Sequence, residues 1–155
     1  MTEEQQLQHI AAALADWARR HGGTVHLAHD RLHLLKILGA QPGAPRVGIL
    51  FAGETPRHEQ YADLTNRVDR RFWIGLSRGW TLESYPGKSL VESTAGGAPL
   101  LQLLREVRTA LRALRFTAAS EPIPYYQGCE LLTFEGHTLD AYRLEIIVAS
   151  DLSAE

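Results

Sequence analysis

The chain has 155 residues, with 16 Lys plus Arg against 18 Asp plus Glu, 45% hydrophobic residues and a single cysteine. These values predict one ordinary folded domain with enough apolar content for a core. They exclude an internal disulfide scaffold, because Cys129 has no second thiol to join. No apolar run approaches the roughly 18 residues of a membrane span, and no internal repeat is present. The polar, acidic start MTEEQQLQ is unlike a secretory leader. The expectation is therefore a soluble domain used in a reducing compartment. A formal charge of −2 also differs from the basic excess of dedicated nucleic-acid binders.

The first element is predicted to be a helix. Thr2 and Gln5 have capping-box spacing, and Glu3 and Glu4 suit the positive end of the helix dipole. Leu7, Ile10, Leu14 and Trp17 recur at intervals of three and four, and Gly22-Gly23 ends the pattern. Segments 24–28 and 31–38 are predicted as strands joined by a tight turn at His29-Asp30. After a loop at 41–45, residues 46–52 alternate, with Val47, Ile49 and Phe51 on one side. Residues 53–66, which include Pro56, are predicted to be an irregular connection.

The next strand places Val68, Phe72, Ile74 and Leu76 on one face and Asp69, Arg71, Trp73 and Ser77 on the other. Arg70 falls on the apolar face near the strand's start, where a sheet end is expected to leave it in water. Residues 79–98 form a long Gly-, Ser- and Pro-containing loop, and loops of that length inside compact domains usually carry function. A second helix begins at Pro99, with Leu100, Leu103, Leu104, Val107, Leu111 and Leu114 as its apolar stripe. Strands at 125–134 and 139–149 close the chain, with Gly136-His137 in their turn and Tyr142, Leu144, Ile146 and Val148 facing inward. The predicted fold is α+β, a mainly antiparallel sheet with two principal helices packed on one face.

No catalytic constellation emerges from the residues. His21, His26, His29 and His33 crowd one region with Asp30, but zinc needs three or four ligands converging on one point. His26 and His29 have opposite parity in a strand, so these histidines are expected on the surface of an edge hairpin. Cys129 is expected to act as a small buried hydrophobe. No Gly-x-Ser-x-Gly elbow and no phosphate-binding glycine fingerprint is present. No cofactor or metal site is expected, and the chain is not expected to be an enzyme.

The arginines are more informative. At about 100° per residue, Arg105, Arg108, Arg112 and Arg115 line up beside the leucine stripe of the second helix. Such a row is either a solvated flank or a contact surface, and arginine suits inter-subunit carboxylate pairing. Arg67, Arg70 and Arg71 form a second basic group. Trp73, Trp80, Tyr85, Tyr125 and Tyr126 supply aromatic area of the kind enriched at interfaces. Because Trp73 opposes Phe72 and Ile74, a second cover for the sheet is expected from another protein.

The order of these elements is distinctive: a capped helix, an early hairpin, a Val-Gly-Ile-Leu-Phe strand, then Asp-Arg-Arg-Phe-Trp-Ile-Gly-Leu. An Arg-rich Leu helix and the strand Asp140-Ala-Tyr-Arg-Leu-Glu-Ile-Ile-Val follow. From the first helix to Asp151, the pattern resembles the tail terminator (tail completion, or neck) proteins of long-tailed bacteriophages and related phage-like particles. The resemblance implies an α+β subunit of a hexameric ring on the head-proximal end of the tail tube. It implies a virion structural protein, made in the host cytoplasm, whose partners are the tail tube protein and the head-completion proteins. Such a ring stops tube polymerisation, and DNA passes through its lumen without sequence-specific binding and without any membrane. The interface residues to which the argument points are Arg105, Arg108, Arg112, Arg115, Arg70, Arg71, Trp73, Trp80 and Tyr85. The alternative reading is a small-molecule or nucleotide-binding α+β domain with the 79–98 loop as a lid.

Overall fold

A computed structural model describes residues 1–39, 44–56, 67–78, 98–116, 125–132 and 140–152. In chain order the elements are α1 (Glu3–Arg20), β1 (Thr24–Ala28), α2 (Arg31–Leu38), β2 (Arg46–Pro56) and β3 (Arg67–Arg78). They continue with α3 (Leu100–Ala113), β4 (Tyr125–Leu132) and β5 (Asp140–Asp151). The five strands form one sheet in the order β1-β2-β3-β5-β4. Only the β1–β2 pair is parallel; the others run antiparallel. The fold is thus α+β with a mainly antiparallel sheet, as the sequence predicts.

The start of α1 is fixed by a reciprocal cap. The Gln5 amide donates to Thr2 Oγ1 at 3.3 Å, and the Thr2 amide donates to Gln5 Oε1 at 2.9 Å. Ile10, Leu14, Trp17 and Ala18 then bury against the sheet. Alongside, α3 contributes Leu100, Leu103, Leu104, Val107 and Leu111 to the same core. Val47 and Ile49 of β2, Phe72, Ile74 and Leu76 of β3, and Leu144, Ile146 and Val148 of β5 complete it.

Residues 31–38 are a helix, not the predicted strand. Asp30 accepts a hydrogen bond from the His33 amide at 2.7 Å, so it caps α2 rather than occupying a hairpin turn. Leu34, Ile37 and Leu38 are spaced as one helical face, and they pack on the other side of the sheet with Ala28 and Leu50. The second cover over β1–β3 therefore belongs to the same chain, contrary to the expectation that another protein supplies it. Two glycines make this close approach possible. Gly48 and Gly75 are direct partners across β2 and β3. A Cβ on Gly48 would stand 2.5 Å from Leu34 Cδ1, and one on Gly75 would stand 2.7 Å from Leu38 Cδ1. Ser77 Oγ fastens the helix end by donating to the Leu38 carbonyl at 2.9 Å.

Two β-bulges change which side chains face the helices. Between Phe51 and Gly53 the β2 register slips, with Gly53 at φ +107°. Glu54 consequently opposes Arg70 on the α1 side instead of pointing away. β2 also continues to Pro56, past the expected end at Ala52. Between Tyr126 and Gly128 the β4 register slips in the same way, with Gly128 at φ +137°. Tyr126 pairs with Ile146 and Cys129 with Leu144, so both lie on the α3 side of the sheet.

Candidate functional site

The amphipathic pattern of α3 separates its surface into three strips. Its leucines enter the core, Gln102, Glu106 and Thr109 face α1, and the arginines form the crest between. Arg105, Arg112 and Arg115 are exposed and Arg108 is half-buried. None of the four has a carboxylate partner among the described residues. Arg115 instead turns back on the helix end, where its Nη1 donates to the Leu114 carbonyl at 2.9 Å. The Arg115 carbonyl contacts the His9 ring of α1, and that ring lies 5.3 Å from Phe116. These contacts fix the C-terminal end of the crest against α1.

On one flank the crest borders a cleft between α1 and α3 of about 460 Å³. Trp17 and Arg20 contribute from α1, and Gln102, Arg105, Glu106 and Thr109 contribute from α3. Glu106 lies 3.3 Å from His21 Nε2, and His21 in turn lies 5.1 Å from the Trp17 ring. On the other flank, Arg108 approaches Tyr126 of β4. Burial and the neighbouring Cys129 thiol push the Tyr126 hydroxyl above its ordinary pKa, while the Arg108 guanidinium opposes them. Cys129 itself is exposed, not the buried hydrophobe expected: the Gly128 bulge turns it to the α3 side of the sheet, but it lies on the edge strand β4.

Arg70 is not at a wet sheet end. It is 1% exposed, and it spends its donors inside the chain. Nε donates to Glu54 Oε2 at 3.2 Å, Nη1 to the Met1 carbonyl at 2.9 Å and to Gln6 Oε1 at 3.3 Å, and Nη2 stands 3.3 Å from Glu3 Oε2. Gln6 passes the network to Ser150 Oγ at 2.9 Å. Arg70 is therefore a structural clamp, withdrawn from any surface patch. Arg71 and Arg67 remain exposed.

Trp73 lies on the α2 side, half-buried, with Arg143 4.1 Å and Arg31 5.2 Å from its ring. Its indole N–H donates to Glu145 at 2.8 Å, and Arg143 pairs with Glu130 at 2.9 Å. This ladder gives Trp73 partners within its own chain. Trp80 and Tyr85, with most of the 79–98 loop, lie outside the described residues. The stretch leaves and re-enters at neighbouring points, since the buried Arg78 donates to the Ala98 carbonyl.

The histidines do not converge. His33 Nδ1 accepts from the His29 amide at 3.0 Å, and the two rings stack 4.6 Å apart. His26 contacts Thr24 at 3.0 Å, and His21 faces Glu106. Among the described residues, no group of three or more His, Cys, Asp or Glu side chains is placed to hold a metal ion. No described helix is long and apolar enough to cross a membrane.

Compared with known proteins, the chain matches no family model and no curated protein.

Proposed function

We propose that this chain is a structural assembly protein of the tail-terminator kind, a subunit of a ring that caps the head-proximal end of a phage tail tube. The observation that carries the reading is the crest of α3. Four arginines in a row have no carboxylate partner among the described residues, while the adjacent leucines supply all the burial that the helix needs. An arginine row of this kind is complementary to carboxylates on a neighbouring subunit. A head-to-tail contact joins two different patches and closes into a ring when the rotation permits. In this reading the tail tube protein lies on one side of the ring, the head-completion proteins on the other, and DNA passes through the lumen.

The capped first helix, the β2 and β3 strands, the Leu–Arg helix and the closing strand also support the reading, since they stand in the order on which the resemblance to tail terminators rests, whereas β1 followed by α2 replaces its early hairpin. The test is tail assembly with purified components. Tubes grown with the wild-type chain should reach a uniform length, as measured by electron microscopy. Tubes whose length is unaffected by the protein would exclude the proposal.

A further inference from the structure

The sheet ends in two edge strands, β1 and β4, and no described strand lies beyond either of them. At β1 the register fixes which backbone groups point outward. The Thr24 amide donates to the Pro45 carbonyl at 3.2 Å, and Thr24 is paired with Arg46 of the parallel strand β2. Backbone groups alternate in direction along a strand, so Thr24, His26 and Ala28 turn theirs to β2, while Val25 and Leu27 turn theirs to the open edge. Proteins commonly blunt such an edge with Lys, Pro or a bulge, and Thr-Val-His-Leu-Ala has none of these. The side chains beside the two edges are also incompletely covered. Leu27 is 40% exposed at β1, and Leu101 of α3 is 37% exposed. At about 100° per residue Leu101 falls with Arg105, Arg108 and Arg112, on the flank of α3 where Arg108 meets Tyr126 of β4.

We infer that β1 of one copy adds to β4 of the next, so that the sheet continues from subunit to subunit of the ring. The inference rests on the ring reading and names the two surfaces that the head-to-tail contact joins. Main-chain hydrogen bonds to Val25 and Leu27 supply the pairing, as in other strand additions. Three antiparallel pairings separate β2 from β4, and β1 runs with β2, so copies in the same orientation bring β1 to β4 antiparallel. The same orientation matches the faces. Val25 packs on the α1–α3 core, which puts Leu27 on that face as well, and Tyr126 and Cys129 lie on it in β4. Beyond the bulge at Gly128, residues 129–132 give β4 a regular stretch close to the five-residue length of β1. The junction also sets the Leu101 and arginine flank of α3 against the outer side of the neighbour's α1. That side, opposite His9 and Arg20, carries Leu7, Ala11 and the exposed Glu4. Glu4 has no cationic partner among the described residues, so it is a carboxylate of the kind the arginine row lacks. A two-fold β1–β1 pairing leaves β4, Leu101 and the arginine row uncovered, and an unrelated extended peptide on β1 does the same.

The test uses Cys129, the single thiol of the chain, as a probe of the β4 edge. Leu27→Cys adds a second thiol on the same face of β1. Facing residues of antiparallel strands have Cα atoms about 4.5–5.5 Å apart, within reach of a disulfide. Val25→Cys serves the register shifted by two residues. Each variant is mixed with tail tubes, oxidised with copper phenanthroline and denatured without reductant. At least one of the two should form covalent multimers beyond the dimer, because every subunit then carries a thiol at each edge. Adding Cys129→Ser should abolish them. Leu32→Cys, 62% exposed on α2, should cross-link no more than the wild type. Rings in native mass spectra of the same samples without any cross-link would overturn the edge pairing and leave the ring reading standing. Dimers that persist in Leu27→Cys, Cys129→Ser would overturn it in favour of β1–β1 pairing. Cross-linked multimers that leave tube length unaffected would uphold the edge pairing and remove the capping role.

Discussion

Arg70 and Met1 stand 69 positions apart, yet the Arg70 guanidinium donates to the Met1 carbonyl at 2.9 Å. The same side chain holds Glu54 and Gln6, so one buried cation joins the start of α1 to the middle of the sheet. Removing one member of a buried ion pair generally costs about 3–5 kcal/mol, because the other is left uncompensated. Glu3 and Glu54 are each 40% exposed and can rehydrate, which places Arg70→Ala near the lower end, at about 3 kcal/mol. Urea denaturation checks this value. A loss below about 1 kcal/mol would show that the clamp is a peripheral pair.

The contact of α2 with the sheet gives a second prediction. Gly75→Ala would bring a methyl group against three side-chain atoms of Leu34 and Leu38, the nearest at 2.7 Å. Overpacking of this kind generally costs about 1–3 kcal/mol. Gly48→Ala meets only the end of Leu34 at under 3 Å, which can rotate aside, and should cost less. Thermal melts of the two variants should rank them in that order.

Asp30→Ala should cost about 1 kcal/mol by removing the acceptor for the His33 amide at the start of α2. Asp30→Asn should retain most of the stability. Equal stabilities of wild type and Asp30→Ala would mean that packing alone sets the start of this helix.

The α1–α3 face of the sheet is legible in the sequence, where α1 and α3 follow their 3.6-residue periods closely, and the α2 face is not. The miss at 31–38 has a physical reason. Leu32, Leu34, Leu35, Ile37 and Leu38 satisfy a short apolar strand as readily as a helix, and eight residues are too few for the period to decide. The deciding signal was Asp30, an N-cap residue that also suits a turn. At Arg70, strand parity gave the right face, but its burial depends on Glu54. The bulge at Gly53 brings Glu54 round, and an isolated strand glycine is the only local sign of that. Gly128 does the same for Cys129. The α1–α3 cleft joins residues nearly 90 positions apart, and no local pattern reports it.

Alkaline titration offers a further check on the β4 edge. Because burial and Cys129 raise the folded pKa of Tyr126 above its unfolded value of about 10, the neutral phenol is favoured in the folded chain. Its contribution to stability is fully present below the unfolded pKa and is lost as pH rises through the higher folded pKa. Tyr126→Phe should therefore flatten the fall in stability above pH 10, measured by urea denaturation at several pH values. An identical slope in wild type and variant would contradict the assignment.

The arginine crest and its leucine stripe should separate assembly from folding. Leu111→Ala, in the middle of the buried stripe, should cost about 2–5 kcal/mol. Arg112→Ala should hardly change the melting temperature, since surface charges contribute about 0–1 kcal/mol each. Arg108 is half-buried beside Tyr126, so Arg108→Ala should cost more than Arg112→Ala but less than Leu111→Ala. At a subunit contact the same changes would strand a desolvated carboxylate, generally costing about 2–5 kcal/mol at each repeat.

The most direct measurement is native mass spectrometry of the full chain mixed with tail tubes, for wild type and for the Arg108→Ala, Arg112→Ala double variant. Wild type should give a closed ring, with six copies as the resemblance implies, and the folded double variant should remain monomeric. Wild-type spectra that show only monomer and dimer, or rings that persist unchanged in the double variant, would contradict the assembly role of the α3 crest.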